Sequence, residues 1–587
     1  MEADGPQKIR IPLPAGDIQV NFCKNPACAN FGVPASTTSQ PRRAFGNAER
    51  DSYTITSGNN YPILKCNLCG ELPPLKSNAG ILEELNRLES YLDLAHRITS
   101  CPNEQCENHR ADITQKLHYY PHGKTRSGSQ RYKCRSCGRV FSVGSSTVHQ
   151  KKPHKNLEVF RLLVNKMPFK RICDAAGISM PTLYDKIDFI HRQCLLFVSG
   201  REDRLLEGMP IKRLYLAVDR QDYMVNWTKS ADKRNVIMHA VGSADNETGY
   251  VFGLHLNFDP SADFAQINKA AEACGDLGLK GPFRQYSRVW LPKDYEDSIK
   301  KGLKRYKSET YRTLPEDITS AYEEAQERDD IEVFETQNAN LTLPSKGMQV
   351  HAEYTLYGHF MLLKKMFGGV EKIRFFLDQD SGMRGACLGT FAEEIKQGKC
   401  DAFYVKINRD MTITERKKMM AACRKELQMM KKLYPTYKES ELKLMIIKQR
   451  LEAVMHFGKW QDKWIYHPFP NMGEPEKAMC YLTDIQKYDA DHLAWLYNKA
   501  SLHSINRFFM QIRRRLSLLE RPISTPSHTG RKWYGYNAYN PGIIIQLLNI
   551  FRVFYNYIET GKDKQTPAQR LGLARSVTNM ENVIYFT

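Results

Sequence analysis

Eight cysteines before residue 140 fall in two sets of four: Cys23, Cys28, Cys66 and Cys69, then Cys101, Cys106, Cys134 and Cys137. Each set reads C-x4-C, a spacer, then C-x2-C-G. Four thiolates in this pattern make a tetrahedral zinc site with no open position, so a structural site and not a catalytic one. The flanks repeat as well. Cys23-Lys24-Asn25-Pro26-Ala27-Cys28-Ala29-Asn30 matches Cys101-Pro102-Asn103-Glu104-Gln105-Cys106-Glu107-Asn108, and Leu64-Lys65-Cys66 matches Tyr132-Lys133-Cys134. This is an internal duplication of a small metal-held unit. A segment of roughly 50–70 residues cannot support itself on apolar burial, whereas one thiolate-bound zinc contributes on the order of 10 kcal/mol of folding energy. Gly70 and Gly138 are expected to turn the knuckle so that backbone amides face the sulfurs. Cys173, Cys194, Cys274, Cys387, Cys400, Cys423 and Cys480 show no pairing and read as ordinary thiols.

A second constellation is made of carboxylates. Asp219 closes a strand-like run at 214–218, and Asp378 and Asp380 follow another at 373–377. Further runs at 236–241, 250–256 and 401–407 read as strands, 351–365 as a helix, and 491–520 as a long helical pattern. Three strands, then helix, strand, helix, strand, with acids at the ends of the first and fourth strands, is a ribonuclease-H-like order, an α/β mixed sheet with flanking helices. Hard oxygen ligands on neighbouring strands suit a pair of Mg2+ ions about 4 Å apart, which clamp the attacking and leaving oxygens of a phosphoryl displacement. Asp378 sits directly at the strand end and Asp380 lies in an Asp-x-Gly context, so both stay open as the second ligand. Asp222 reads as a turn residue.

The elements that would bring this chemistry to a substrate lie between the two constellations. Residues 155–195 show helical spacing: Leu157, Phe160, Leu163 and Val164 on one face, 169–176 as a second helix, Gly177 as the turn, and Ser179 capping a third helix that opens with Pro181. This fits a DNA-reading helix-turn-helix, with Lys170, Arg171 and Lys186 on phosphates. Lys and Arg total 85 against 65 Asp and Glu, a net +20 that points to a polyanionic partner. No run of 18 apolar residues suggests a membrane span. The start of the chain lacks a basic-then-apolar leader, which together with the cysteine pattern leads us to expect a reducing, cytoplasmic, nucleoid-associated protein.

The chain resembles insertion-sequence transposases of the DDE type. The stretch Gly128 to Phe141 looks like the zinc ribbon that precedes their helix-turn-helix, Val218-Asp219 like their first catalytic strand, and Asp380-Ser381-Gly382 like the Asp-x-Gly after the second. Tyr555-Asn556-Tyr557 and Thr566-Pro567-Ala568 look like the closing segments. The resemblance implies Mg2+-dependent cleavage and strand transfer on double-stranded DNA, element ends and target alike, by a homodimer or higher oligomer. It also exposes a departure. The third ligand slot, Glu-Arg in many relatives, is Asn506-Arg507 here, with Arg513, Arg514 and Arg515 following as DNA contacts. Asn506 is the favoured third member. Glu520, read on the same helix, and a degraded nuclease stay open. The organisation expected is zinc ribbons at 1–98 and 99–150, a helix-turn-helix at 151–205, a catalytic domain at 206–525 with insertions near 260–345 and 411–485, and a helical tail at 526–587. Trp460, Trp464, Tyr466 and Phe469 read as the core of the second insertion. A DNA-binding regulator that keeps the fold without cleavage is the rival reading.

Overall fold

The computed structural model describes residues 9–38, 51–58, 61–96, 99–113, 115–125, 129–143, 146–147, 150–225, 236–305, 313–327, 346–459, 461–485, 488–520, 523–524, 532–533 and 540–586. Trp460 lies outside them. The chain divides into two compact units. The first comprises Met1–Leu88, Leu205–Arg514 and Leu518–Ile545; the second comprises Glu89–Arg204, Arg515–Ser517 and Gln546–Thr587. This division differs from the five expected segments: the first cysteine module, as far as Leu88, groups with the large sheet, and the C-terminal tail from Gln546 on groups with the helix-turn-helix.

The first unit is built on an eight-stranded mixed sheet. Its strands are β1 (Ile211–Val225), β2 (Val236–Asp245), β3 (Val251–Leu256), β4 (Val370–Asp378), β5 (Cys400–Ile407), β6 (Met455–Phe457), β7 (Asp462–Tyr466) and β8 (Lys477–Tyr481), in the spatial order β6-β7-β8-β5-β4-β1-β2-β3. β1, β2 and β3 form an antiparallel meander, while β4 runs parallel to β1 and β5 parallel to β4. The central strands are near-continuous apolar runs. Leu214, Leu216, Ala217, Val218, Phe375, Phe376, Leu377, Ala402, Phe403 and Val405 are all buried, as parallel strands covered on both faces must be.

Four helices of this unit matter below: α1 (Asn78–Glu89), α2 (Ala352–Met366), α3 (Ser381–Thr390) and α4 (His503–Arg515). α1 lies close against α2, because a Cβ on Gly358 would come within 2.9 Å of the Glu84 side chain. Glu84 is buried there and bonded to Arg87, Arg288 and Thr355.

Several expected boundaries moved. β1 continues six residues past Asp219, so Asp219 lies within a strand and does not end one. Asp222 is likewise a strand residue, and its Oδ1 lies 2.7 Å from Nδ1 of His239 across the ladder. The long pattern at 491–520 is two helices, Ala490–Lys499 and α4, with a short 3-10 turn at Ser517–Leu519. Alternation and helical periodicity reveal an element's middle better than its ends.

The second unit holds the other cysteine module, the helices Asn156–Leu163 and Phe169–Ala176, the helix Met180–Leu206 as far as Arg204, and the helix Pro541–Tyr557 from Gln546 on. Gly177 takes φ 63°, the left-handed turn between the second and third helices, and the Ser179 hydroxyl accepts from the Thr182 amide. The third helix runs 27 residues, well beyond what the turn motif needs. Its length is explained by the C-terminal helix packed along it. Arg552 bonds Glu202 at 2.7 Å, Asn549 bonds His191, and Tyr557 meets Phe197 edge-on. The closing motifs are therefore structural. Asn556 and Tyr557 are buried, and Thr566 forms a capping box with Gln569 at the start of the helix Pro567–Leu571. No helix among the described residues is long and apolar enough to cross a membrane.

Candidate carboxylate centre and thiolate sites

Both cysteine sets converge. In each, the four Sγ atoms lie within 4.8 Å of one another. Cys23 and Cys69 are 3.4 Å apart, Cys28 and Cys66 3.8 Å, Cys101 and Cys137 3.4 Å, and Cys106 and Cys134 3.6 Å. A zinc–sulfur bond of about 2.3 Å puts the edges of a thiolate tetrahedron at about 3.8 Å, so both groups fit a four-coordinate ion. Gly70 and Gly138 take φ 72° and 70°, and each donates its amide back to the carbonyl of the first cysteine of its C-x2-C. Asn30 and Asn108, equivalent in the duplication, each donate 3.3 Å hydrogen bonds from Nδ2 to Cys66 and Cys134. Burial raises both of these thiols, but amide bonds and the Asn donors outweigh it, bringing Cys66 to about 7 and Cys134 to about 6. Burial pushes their neighbours Cys23, Cys69 and Cys101 the other way, so Cys66 and Cys134 are the members of these sets most readily held as thiolates.

A tyrosine clasp completes each module, a feature that the cysteine spacing does not reveal. The Tyr53 hydroxyl accepts from the Cys23 amide and donates to Asn30 and Val33 carbonyls. The Tyr119 hydroxyl accepts from the Cys101 amide and contacts the Asn108 and Ala111 carbonyls. The two tyrosines sit in spacers of unequal length, which hid the match.

The carboxylates come together in the middle of the sheet. Leu377 of β4 pairs with Val218 of β1 in parallel register. Asp378 therefore stands beside Asp219, on the same face of the sheet. Asp219 is 2% exposed. Burial and the neighbouring charge of Asp378 push its carboxyl up to about 7, against the pull of Arg409. The Arg409 guanidinium donates to Asp219 Oδ2 at 2.9 Å, and nothing local in the sequence links two residues so far apart.

Asp380 is differently employed. Its Oδ1 caps α3 by accepting from the Met383 amide, its Oδ2 pairs with Arg220 at 2.8 Å, and its carbonyl accepts from Tyr404. The Asp-x-Gly context thus reads, locally, as a helix cap. Among the described residues, only the two cysteine groups bring three or more Cys, His or acidic ligand atoms within 4.8 Å.

α4 crosses the same face. Gly242 is the cross-strand partner of Asp219 on β2, and directly opposed residues share a face. A Cβ on Gly242 would meet Ile505 at 2.9 Å and Phe509 at 3.2 Å. Gly242 leaves room for these side chains at the level of Asp219, and Asn506, half-buried, follows Ile505 on that turn. Two turns on, the positive charge of Arg513 acts on Tyr223, four residues beyond Asp219 on β1. Glu520 is exposed and lies past the end of α4 at Arg515. The expectation that it shares that helix is therefore corrected: the chain leaves the helical path before reaching it.

Of the expected phosphate contacts, Lys170, Arg171, Arg507 and Arg514 are exposed, and Arg513 is half-buried. Arg515 is engaged by Glu559. Lys186 is not available at all. It is 2% exposed, and its ammonium donates to the Lys151 and Lys152 carbonyls and to Asn156 Oδ1. Its place on the inner face of the third helix makes it an internal clamp, since a buried ammonium must spend its donors nearby. Trp464 is core, as expected of the insertion, but Tyr466 and Phe469 are only half-buried.

No family model matches the chain, and no curated protein matches it.

Proposed function

We propose that the chain is a DNA transposase whose ribonuclease-H-like sheet cleaves and joins DNA strands. The observation that carries this reading is the register that sets the half-buried Asp378 beside the buried Asp219, on adjacent parallel strands and one face. The order β5-β4-β1-β2-β3, with β2 alone antiparallel among these five, supports it. Two carboxylates beside one another in a low-dielectric setting repel, which raises the first and favours a divalent cation between them. Asp219 and Asp378 would hold Mg2+, with the Asn506 carbonyl as an uncharged third donor. Such ions, when bound, supply an activated water or 3′ hydroxyl and steady the departing oxygen. Arg409 must then release Asp219, and it remains beside the centre as a phosphate-binding cation. Asp380 holds α3 in place through its cap. Zinc in both cysteine modules and the exposed Lys170 and Arg171 of the helix-turn-helix complete a protein that grips element ends, paired as a dimer on the DNA.

A second reading, a DNA-binding regulator without cleavage, is favoured by Asn506 in the slot of an acid and by the Arg409–Asp219 pair. One experiment separates them. Mg2+-dependent nicking of element-end DNA should be lost in both Asp219→Ala and Asp378→Ala, with end binding retained. End binding with no nicking in the unaltered protein selects the regulator.

A further inference from the structure

We propose that the outward face of the helix Ile413–Leu433 is a docking surface for duplex DNA, reading the phosphate backbone without regard to sequence. The proposal rests on the transposase reading for the choice of partner and adds a contact that the helix-turn-helix does not supply. The helix is 21 residues long and none of them is fully buried. Its half-buried row is Arg416, Met419, Met420, Cys423, Glu426, Leu427 and Met430, at helical spacing, and that side packs on the helix Glu439–Arg450. The opposite side carries Lys417, Lys418, Arg424, Lys425, Lys431 and Lys432, all exposed. None of these six makes an ion pair among the described residues; only Lys418, near Glu415, and Lys431, near Glu439, have an acid close enough to feel their charge. Of the helix's two glutamates, Glu415 is taken by the capping box with Thr412 and Glu426 by Arg450.

The spacing is regular. Lys417, Arg424 and Lys431 form one row, and Lys418, Lys425 and Lys432 a second. Seven residues are nearly two turns, so each row repeats at about 10.5 Å and the helix spans about 32 Å, close to one turn of duplex. The location is equally specific. The N-cap Thr412 follows three residues after Arg409, which holds Asp219, so at most about 11 Å of chain separates the helix from the carboxylate centre. A strand lying along this face would pass that centre. An anionic membrane would also attract six cations, but an interfacial helix must offer lipid an apolar face. Here most of the apolar row is turned inward, and the exposed apolar side chains, Ile413, Ala421, Ala422, Met429 and Leu433, are too few and too separated along the helix to make such a face.

The test replaces the six cations by glutamine in the full chain. Glutamine has similar helix propensity and the positions are exposed, so far-UV circular dichroism should be unchanged. Binding to a random-sequence duplex is measured by anisotropy across a salt series. If about three phosphates are contacted, the slope of log Kd against log salt falls by about 3, and affinity at low salt falls at least about tenfold. An unchanged slope and affinity overturns the proposal, as does a loss confined to phosphatidylserine vesicles or to an RNA duplex. A helix-dependent slope without Mg2+-dependent nicking would sink the transposase reading and leave the docking surface standing. Nicking with an unchanged slope would do the opposite, removing the docking surface and keeping the transposase reading.

Discussion

The two cysteine modules share spacing, knuckle glycine, asparagine donor and tyrosine clasp, yet they are used differently. The first is built into the sheet unit. Lys24 is buried, donates to the Val20 carbonyl and lies over the Phe22 ring, and burial brings its ammonium down to about 7. A Cβ on Gly389 of α3 would come within 2.8 Å of it. Glu71, the residue after the knuckle glycine, is 2% exposed and pairs with Arg384 of α3 at 3.0 Å. Asp380 caps that same helix. The second module closes on itself. Its buried hydrophobic residues are Cys101, Cys106, Tyr119 and Cys134, with Ala111, Ile113, Tyr132 and Phe141 around them, and Cys137 is exposed. One thiolate module thus braces α3 beside the carboxylate centre, while the core of its copy, among the described residues, is made of its own side chains. Duplication preserved the metal geometry, and the outer residues took on separate tasks.

The strongest way to break this comparison is to remove a ligand from each module. Cys66→Ser should cost on the order of 10 kcal/mol in its module and carry α3 and the sheet unit with it. Cys134→Ser should release one zinc equivalent and leave the sheet unit folded. Metal content with limited proteolysis of both variants checks this. If Cys66→Ser leaves the sheet unit as resistant as before, the first module is no brace.

A smaller effect tests the contact itself. Glu71→Ala strands the Arg384 guanidinium in the interior and should cost roughly 3–5 kcal/mol, read as a lowered denaturation midpoint with zinc stoichiometry intact. Loss of zinc instead would assign Glu71 to the metal site and not to the junction with α3.

The smallest effect is in pH. Burial alone brings His359 of the first unit down to about 3; in the second unit, burial and then the charge of Arg192 bring His191 to about 4. Both are neutral when folded, so their stabilising contribution is complete above the unfolded value near 6.5 and is lost as pH falls towards the folded values. Each should lose roughly 2–3 kcal/mol by about pH 4.5. His359→Phe should flatten the acid limb of the first unit alone, and His191→Phe that of the second, in urea titrations followed by proteolysis. A single shared limb would deny the two units separate stability.

Local chemistry was readable in the sequence. The thiolate sets, the knuckle glycines, the turn at Gly177 and the order of the strands all depend on residues a few positions apart, or on a periodicity that shows in a short window. The candidate site was readable only in part. Asp219, Asp378 and Asp380 were visible as acids near strand ends, but the choice between the last two depends on register and on a helix cap. Lys24 stands where the duplicate has Pro102, a departure that marked the first module's separate surroundings without saying what they were. Lys186 looked like a phosphate contact because its charge is evident and its direction is not.

What the sequence by itself determined is the inventory: which groups can bind metal, where the five strands from β1 to β5 fall, and how often a unit repeats, while β6, β7 and β8 lay in a stretch read only as an insertion. Tertiary structure alone decided the partners. Arg409 meets Asp219, Glu71 meets Arg384, and Gly242 admits α4, across separations at which the chain carries no local signal. Burial and sheet register, which arise only when distant segments pack, turn an ordinary carboxylate into one raised to about 7.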